Sequence, residues 1–382
     1  MTLAEILSNE DLRRHEFPVA RHKVFLAHAG VCPLPHRVAE AMAHYTLSAA
    51  EDDQESNLTA LLRDTRALAA RLLHAQADEI SFVGPTSLAL STIAAGVPLR
   101  RGCNIVIYHD DFPTNVYPWM ALTDRGVQVR FLNVKDLGRI RPLDVIGQVD
   151  ENTRLVALTS CHFVSGWRID VNAIGKALRD RNILFCVDGI QTLGAFPMNV
   201  EHVDFLAADA HKWLLGPCAA GILYVKKDLQ ERVRPLAFGW NNVRSPNYVP
   251  QEAIAFRPGP ARFEAGSHNL VGLVGLKAAL ELLLEIGVEN IAAELLRKRA
   301  WLVPALREKG WITLNASSPA ANSGGILTLH RANADLPALH QRLADAQIVT
   351  SLRTDRAGKQ YLRLSPHFYN TDEELHRVLA LL

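Results

Sequence analysis

Neither sign of charge is in excess in this 382-residue chain, where Lys and Arg total 41 against 40 Asp and Glu. No overall field therefore points to nucleic acid or an anionic membrane surface as a partner. Cysteine is scarce, odd in number and scattered, at Cys32, Cys103, Cys161, Cys186 and Cys218, without C-x-x-C spacing. Such thiols make neither a disulfide framework nor a zinc site, so reduced cysteines, a cytoplasmic location and no metal are expected. The opening segment MTLAEILSNEDLRRHEF carries acids early and has no long apolar centre, unlike a secretory leader. The most apolar later stretch, 270–288, is interrupted by Lys277, Glu281 and Glu285 and reads as an amphipathic helix, not a membrane span. Internal repeats and low-complexity tracts are missing too.

What is present is an ordinary globular composition, 48% hydrophobic and 21% charged, in a chain long enough for two domains. Short β-branched runs alternate with helical spacing through the middle. Strands are expected at 104–108, 127–132, 154–160, 183–187, 203–207 and 221–225, with a helix at 171–181. Alternation of this kind predicts an α/β large domain, over 18–262, built on a mostly parallel sheet covered on both faces. Past the proline-rich passage 245–260 the pattern becomes α+β: helices at 271–286 and 290–309, a strand at 325–329, a helix at 336–346, a strand at 361–365 and a last helix from Thr371. Residues 263–382, with 1–17, are expected to form a smaller domain closing over the site.

Two costly residues point to the chemistry. Asp188 ends the apolar run Ile183, Leu184, Phe185, Cys186, Val187, placing a carboxylate at the C-terminal end of a buried strand, where ligands of such sheets bind. Lys212 lies in HKWLLGP between two further apolar runs, in a turn closed by Gly216 and Pro217. Singly, an Asp after a strand is often a helix cap and a Lys in a turn is often solvated. A buried acid and a constrained amine together are expensive unless a ligand uses both charges. Pyridoxal phosphate does so: its aldehyde takes a lysine as a Schiff base and its ring nitrogen is kept protonated by an aspartate.

VDGIQ followed by HKWLLGP resembles the fold-type I pyridoxal phosphate enzymes of the class V aminotransferase family. The likeness runs from FLAHAG near residue 25 to SPHFYNT near residue 371. This family includes cysteine desulfurases, selenocysteine lyases, kynureninases and isopenicillin N epimerases. The resemblance implies a Schiff-base role for Lys212, a ring-nitrogen contact for Asp188 and a hydrogen bond from Gln191 to the ring's phenolic oxygen. In SFVGPTSLALSTIAAG, Thr86 and Ser87 open an apolar helix whose N-terminal amides and hydroxyls suit an anion, and the family places its phosphate there. Phe112, in DDFPTNVYPW, matches the cofactor-stacking position, which is usually histidine in desulfurases; a phenyl ring stacks but transfers no proton. His211 is a candidate phosphate donor or lysine neighbour. Asp209, where relatives carry Ser or Asn, would repel a nearby phosphate unless it points away, for example towards His211. RFEAGSHN resembles the segment that crosses to a second subunit, where Ser267 would reach the partner's cofactor; a homodimer with shared sites follows. Arg363 is implied as the clamp on the substrate carboxylate, and His28, in FLAHAG, as a substrate-facing residue.

For the reaction, the resemblance implies attack on an amino acid through an external aldimine, with Lys212 taking the α-proton. Segment 351–361, SLRTDRAGKQY, holds no cysteine, although desulfurases place a nucleophilic thiol in this loop. Aminotransfer is the expected outcome. The alternatives are a β-lyase acting on cysteine or selenocysteine, kynureninase-like cleavage, epimerisation, and an inactive relative that only binds.

Overall fold

Thirteen strands form as the chain's short apolar runs reach turn residues, and the computed structural model describes all 382 residues. In chain order they are β1 (Val24–Phe25), β2 (Ile80–Phe82), β3 (Asn104–Ile107), β4 (Gln128–Phe131), β5 (Thr153–Thr159), β6 (Leu184–Asp188) and β7 (Phe205–Ala208). Next come β8 (Ile222–Val225), β9 (Ile312–Thr313), β10 (Leu327–His330), β11 (Ile348–Val349), β12 (Ser351–Thr354) and β13 (Gln360–Leu364). Seven of them make one sheet in the order β2-β8-β7-β6-β5-β3-β4. The pairs from β4 across to β7 are parallel, and β8 runs antiparallel to both β7 and β2.

The alternation within each strand assigns residues to two separate cores. Val156 and Leu158 of β5, with Phe185 and Val187 of β6, face one layer of helices. Leu155, Ala157 and Cys186 face the other, beside Ile93 and Trp119. Burial on both faces is why these strands read as unbroken apolar runs in the sequence. Each fully buried large aliphatic side chain contributes about 1.5–3 kcal/mol, which anchors the strand ends that carry the polar groups described below.

The second unit is a four-stranded antiparallel sheet, β12-β13-β10-β9, covered by helices Leu336–Asp345 and Asp372–Leu381. Two details tie the units together. β1 pairs with β11 and Ala27 bridges to Ser365, so Val24 and Leu26 are buried in the core of this second unit. Helix Leu270–Ile286 packs on helices His36–Ser48 and Leu58–Leu73 and shares the core of the large sheet. The chain changes packing partners near Gly287, and helix Val288–Glu308 belongs to both cores, with Ile291 in one and Leu306 in the other. No helix is long and apolar enough to cross a membrane.

Candidate active site

β6 delivers Asp188 to the sheet's C-terminal edge, 2% exposed. The Ile190 N–H donates to its Oδ1 at 3.0 Å, and its other carboxylate oxygen takes no hydrogen bond from the protein. Burial pushes this carboxyl upward, while the Ile190 amide and the nearby Lys212 charge oppose the rise. Asp188 lines a cavity of about 220 Å³ between the two units.

Lys212 lines the same cavity from the turn that follows β7. The Gly216 N–H closes that turn on the Ala210 carbonyl at 2.9 Å, and the Leu215 N–H donates to the Lys212 carbonyl at 3.1 Å. Leu215 holds a left-handed φ of 57° while completely buried, a strained conformation that the packing around it enforces. Lys212 is 8% exposed, and its Nζ has neither a hydrogen-bond acceptor nor an ion-pair partner in the protein. Nζ stands 5.3 Å from the centre of the Phe112 ring. Burial depresses the amine to about 8, helped by the positive charges of Arg363 and Arg353 and opposed by Asp188.

At another wall the chain enters helix Thr86–Gly96 with Pro85 before it and no side chain capping its first amides. Thr86 accepts a hydrogen bond from the Asp209 N–H at 2.9 Å, leaving its own hydroxyl hydrogen to donate elsewhere. Ser87 exchanges a 2.9 Å hydrogen bond with the Thr114 hydroxyl. Asp209 points away from this helix terminus. Its Oδ1 accepts from the Ala210 N–H, and its Oδ2 accepts from the Ala219 N–H and contacts His211 Nδ1 at 2.8 Å. After burial, these contacts dominate and hold the Asp209 carboxyl below its usual range. His211 is thereby oriented with Nε2 left free, and it lines the cavity.

Gln191 is fixed at both ends of its amide, accepting from the Trp213 indole at 2.9 Å and donating to the Ala29 carbonyl at 3.1 Å. One amide hydrogen remains available to the cavity. Phe112 is 43% exposed at the rim, edge-on to Phe163 with ring centres 5.4 Å apart. Arg363 on β13 is 1% exposed. Its Nη1 donates to the Phe163 carbonyl at 2.7 Å, while Nε and Nη2 are buried with no acceptor. Burial, together with Arg353, depresses this guanidinium to about 9. The unpaired nitrogens are a standing cost that a bound anion would remove.

The structure thus gathers Thr86, Ser87, Phe112, Asp188, Gln191, His211, Lys212 and Arg363 around one space. Two expected residues are not there. His28 is completely buried behind the cavity, with Nδ1 on the Ser365 carbonyl and Nε2 on the Tyr369 hydroxyl at 2.7 Å. Burial lowers its imidazole to about 4, and the neutral ring links the end of β1 to the C-terminal segment. Ser267 lines a different hollow, of about 330 Å³, with Gly84, Leu236 and His268. Within one chain it does not reach Lys212.

Several lining or supporting residues escaped the sequence reading, among them the following. Arg353 of β12 and Thr114 line the cavity. Asp111 is buried beneath it, accepting from the Phe112 N–H, Asn115 Nδ2 and the Thr159 N–H. Burial and the charge of Asp188 push Asp111 up to about 7. Arg353 stands in SLRTD, whose alternation gives a face for its side chain but no strand partner. Only the pairing of β12 with β13 brings it beside Arg363.

A parallel-sheet edge carrying a lysine and an acid, with an anion-ready helix terminus and a buried arginine, defines a cofactor-dependent α/β enzyme site. The chain belongs to the aminotransferase class V family of pyridoxal phosphate enzymes, whose model matches residues 24–378. Over 293 residues it is 33% identical to a probable cysteine desulfurase of Methanothermobacter thermautotrophicus, covering 75% of this chain and 72% of that protein. It is 29% identical to an uncharacterized aminotransferase, YcbU, of Bacillus subtilis, covering 81% and 80%. Its fold is that of the apo cysteine desulfurase from Thermococcus onnurineus, with a TM-score of 0.88, 24% identity and coverage of 98% and 96%. The cystine C–S lyase C-DES, solved with cysteine persulfide, shares the fold at a TM-score of 0.84 and 23% identity, covering 95% and 98%.

Proposed function

We propose that this protein is an aminotransferase in which Lys212 moves the α-proton of an amino acid whose carboxylate is held by Arg363. The observation that carries the reading is a buried, unpartnered amine facing a buried acid across a cavity. The other unsatisfied groups suit pyridoxal phosphate. The helix at Thr86, the Thr86 and Ser87 hydroxyls and His211 Nε2 would hold its phosphate. The free oxygen of Asp188 would accept a hydrogen bond from its protonated ring nitrogen, and the remaining Gln191 hydrogen would meet its ring oxygen. When bound, the group supplies an aldehyde for amines and a ring that takes up the electron pair left at the α-carbon.

The chain's own residues supply the rest. With its pKa near 8, roughly a tenth of Lys212 is neutral at pH 7, far more than for a solvated lysine. A neutral amine accepts the α-proton, and the resulting ammonium returns it to a different carbon. Arg363 meets the carboxylate with two donors in a fixed fork, which sets where the α-carbon hydrogen points. Phe112 and Phe163 line the cavity with apolar rings set edge-on to each other. The acid at Asp188 holds the positive charge that makes loss of the α-proton favourable.

No cysteine lines the cavity: Cys32, Cys103, Cys161 and Cys186 are buried elsewhere, and the exposed Cys218 lies outside it. A protein-bound persulfide therefore has no thiolate to form on. A second reading, a C–S lyase that releases its products freely, needs no such thiol and is favoured by the desulfurase names among the relatives. Incubation of the cofactor-loaded protein with a panel of amino acids separates the two. One equivalent of keto acid with the nitrogen retained on the protein supports aminotransfer. Catalytic release of pyruvate and ammonia, together with sulfide from cysteine or cysteine persulfide from cystine, would replace it with the lyase.

A second part of the proposal is a homodimer. Leu236, Phe238, Trp240, Tyr248 and Ile254 are all large, apolar and more than two-fifths exposed, beside the hollow that holds Ser267. An apolar patch of this kind is uncommon on a monomer.

A further inference from the structure

Two arginines, not one, meet the candidate cavity from β12 and β13. In the antiparallel register Ser351 pairs with Arg363 and Arg353 with Tyr361, so Arg353 and Arg363 are diagonal neighbours on one face of the sheet. Neither has an acidic partner, since no salt bridge forms to either. The acids closest in sequence are otherwise engaged: Asp355 accepts from the Tyr361 hydroxyl and Asp110 is bound to Arg356. The single hydrogen bond of the Arg353 guanidinium within the protein is from Nη1 to its neighbour's carbonyl, on Leu352.

Like charges on adjacent positions repel, and the half-buried Arg353 contributes to depressing both Arg363 and Lys212. An arrangement that costs folding energy without a protein acid to offset it is the mark of an anion-binding site. The charges in the cavity can be assigned one by one on the function proposed above, on which this step rests. Asp188 faces the cofactor's ring nitrogen, the helix at Thr86 faces its phosphate, and Arg363 faces the α-carboxylate. Arg353 is left over, next to Arg363 and on the substrate's side.

We infer that Arg353 selects substrates carrying a second carboxylate on the side chain, so that this enzyme acts on acidic amino acids in preference to neutral ones of the same shape. A guanidinium recognises a carboxylate through two parallel N–H donors, whereas the matching amide presents one acceptor and no charge.

The test is a binding titration of the cofactor-loaded protein, following the perturbation of its visible absorbance by L-glutamate against L-glutamine and by L-aspartate against L-asparagine. At least one acid is expected to bind about tenfold or more tightly than its amide, the worth of a charge-assisted pair. Arg353→Leu should bring that ratio close to one, with the loss falling on the acids and not on their amides. Arg353→Lys, which keeps the charge and loses the fork, should retain part of the preference and also shows that the position tolerates substitution. Equal affinities for acids and amides in the wild type, or a preference that survives Arg353→Leu, overturns the inference while the cofactor reading stands. A wild-type protein that never develops visible absorbance with pyridoxal phosphate overturns the cofactor reading itself, and this inference with it.

Discussion

Lys212 illustrates how a single side chain can be unfavourable for the fold and suited to the chemistry. Folding lowers its pKa from 10.5 to about 8, so the native state binds its proton less readily than the unfolded chain does. The sign is that of a depressed base: the destabilisation is complete below about pH 8 and disappears as the pH rises through 10.5. Replacing it by methionine should stabilise the cofactor-free protein at pH 7 by on the order of 1–3 kcal/mol, with Asp188 offsetting part of the gain as it loses a cationic neighbour. Thermal unfolding of the two proteins checks this, and a destabilised Lys212→Met would contradict it. The same variant should never develop visible absorbance with pyridoxal phosphate. In the wild type, the rate at which that absorbance grows should climb with pH to a midpoint near 8. A midpoint near the ordinary lysine value would show the amine to be solvated. Arg363 obeys similar logic with its two unpaired nitrogens, so Arg363→Ala should raise the apparent KM for amino acids by about tenfold to a hundredfold while the visible band persists.

At the scale of elements, the site depends on how closely β8 and the start of helix Thr86–Gly96 approach each other. A Cβ on Gly84 would lie 2.6 Å from the Ala219 carbonyl carbon and oxygen and 2.7 Å from the Gly221 nitrogen. Those are backbone atoms on the strand side, and they cannot rotate away. Gly84→Ala should therefore displace the helix N-terminus, at a cost of about 1–3 kcal/mol, and weaken cofactor retention on dialysis more than any exposed substitution nearby. Retention equal to wild type would show that this terminus does not hold the phosphate. The turn around Lys212 has the same character, since the left-handed Leu215 is held in place by burial and by its hydrogen bond to the Lys212 carbonyl. β12 shows what tertiary pairing adds. Its four residues carry no strong strand signal, yet pairing with β13 turns Arg353 into a cavity residue.

The whole molecule places its cavity between a large parallel-sheet unit and a smaller antiparallel one, with β1 and helix Val288–Glu308 tying the two together. The apolar surface around Trp240, which is 45% exposed, would extend this logic to a second copy in the proposed dimer. Sedimentation of the wild type should give a dimer, and Trp240→Glu should shift it towards monomer with faster loss of cofactor. A wild type that sediments as a monomer and keeps its cofactor would remove Ser267 from the site of a partner.

Much of the strand framework was legible because strands buried on both faces must be continuously apolar, and Asp188 stood out as the charge ending one such run. Lys212 was legible for the same reason, as an amine where an amine is expensive. His28 lies outside the cavity lining, and a histidine in an apolar segment gives no sign of which side of the wall it faces. Packing placed it among Tyr369, Ser365 and His367, where desolvation keeps it neutral. The pattern of residues along the chain determined the parallel sheet, the acid at its edge and the family. The tertiary structure decided which distant side chains share a space: it turned Asp209 away towards His211, left Arg363 without an acceptor and set Arg353 beside it. Local pattern records the burial of a residue on its own strand, whereas adjacency between strands separated in the chain depends on register and packing that no local run of residues encodes.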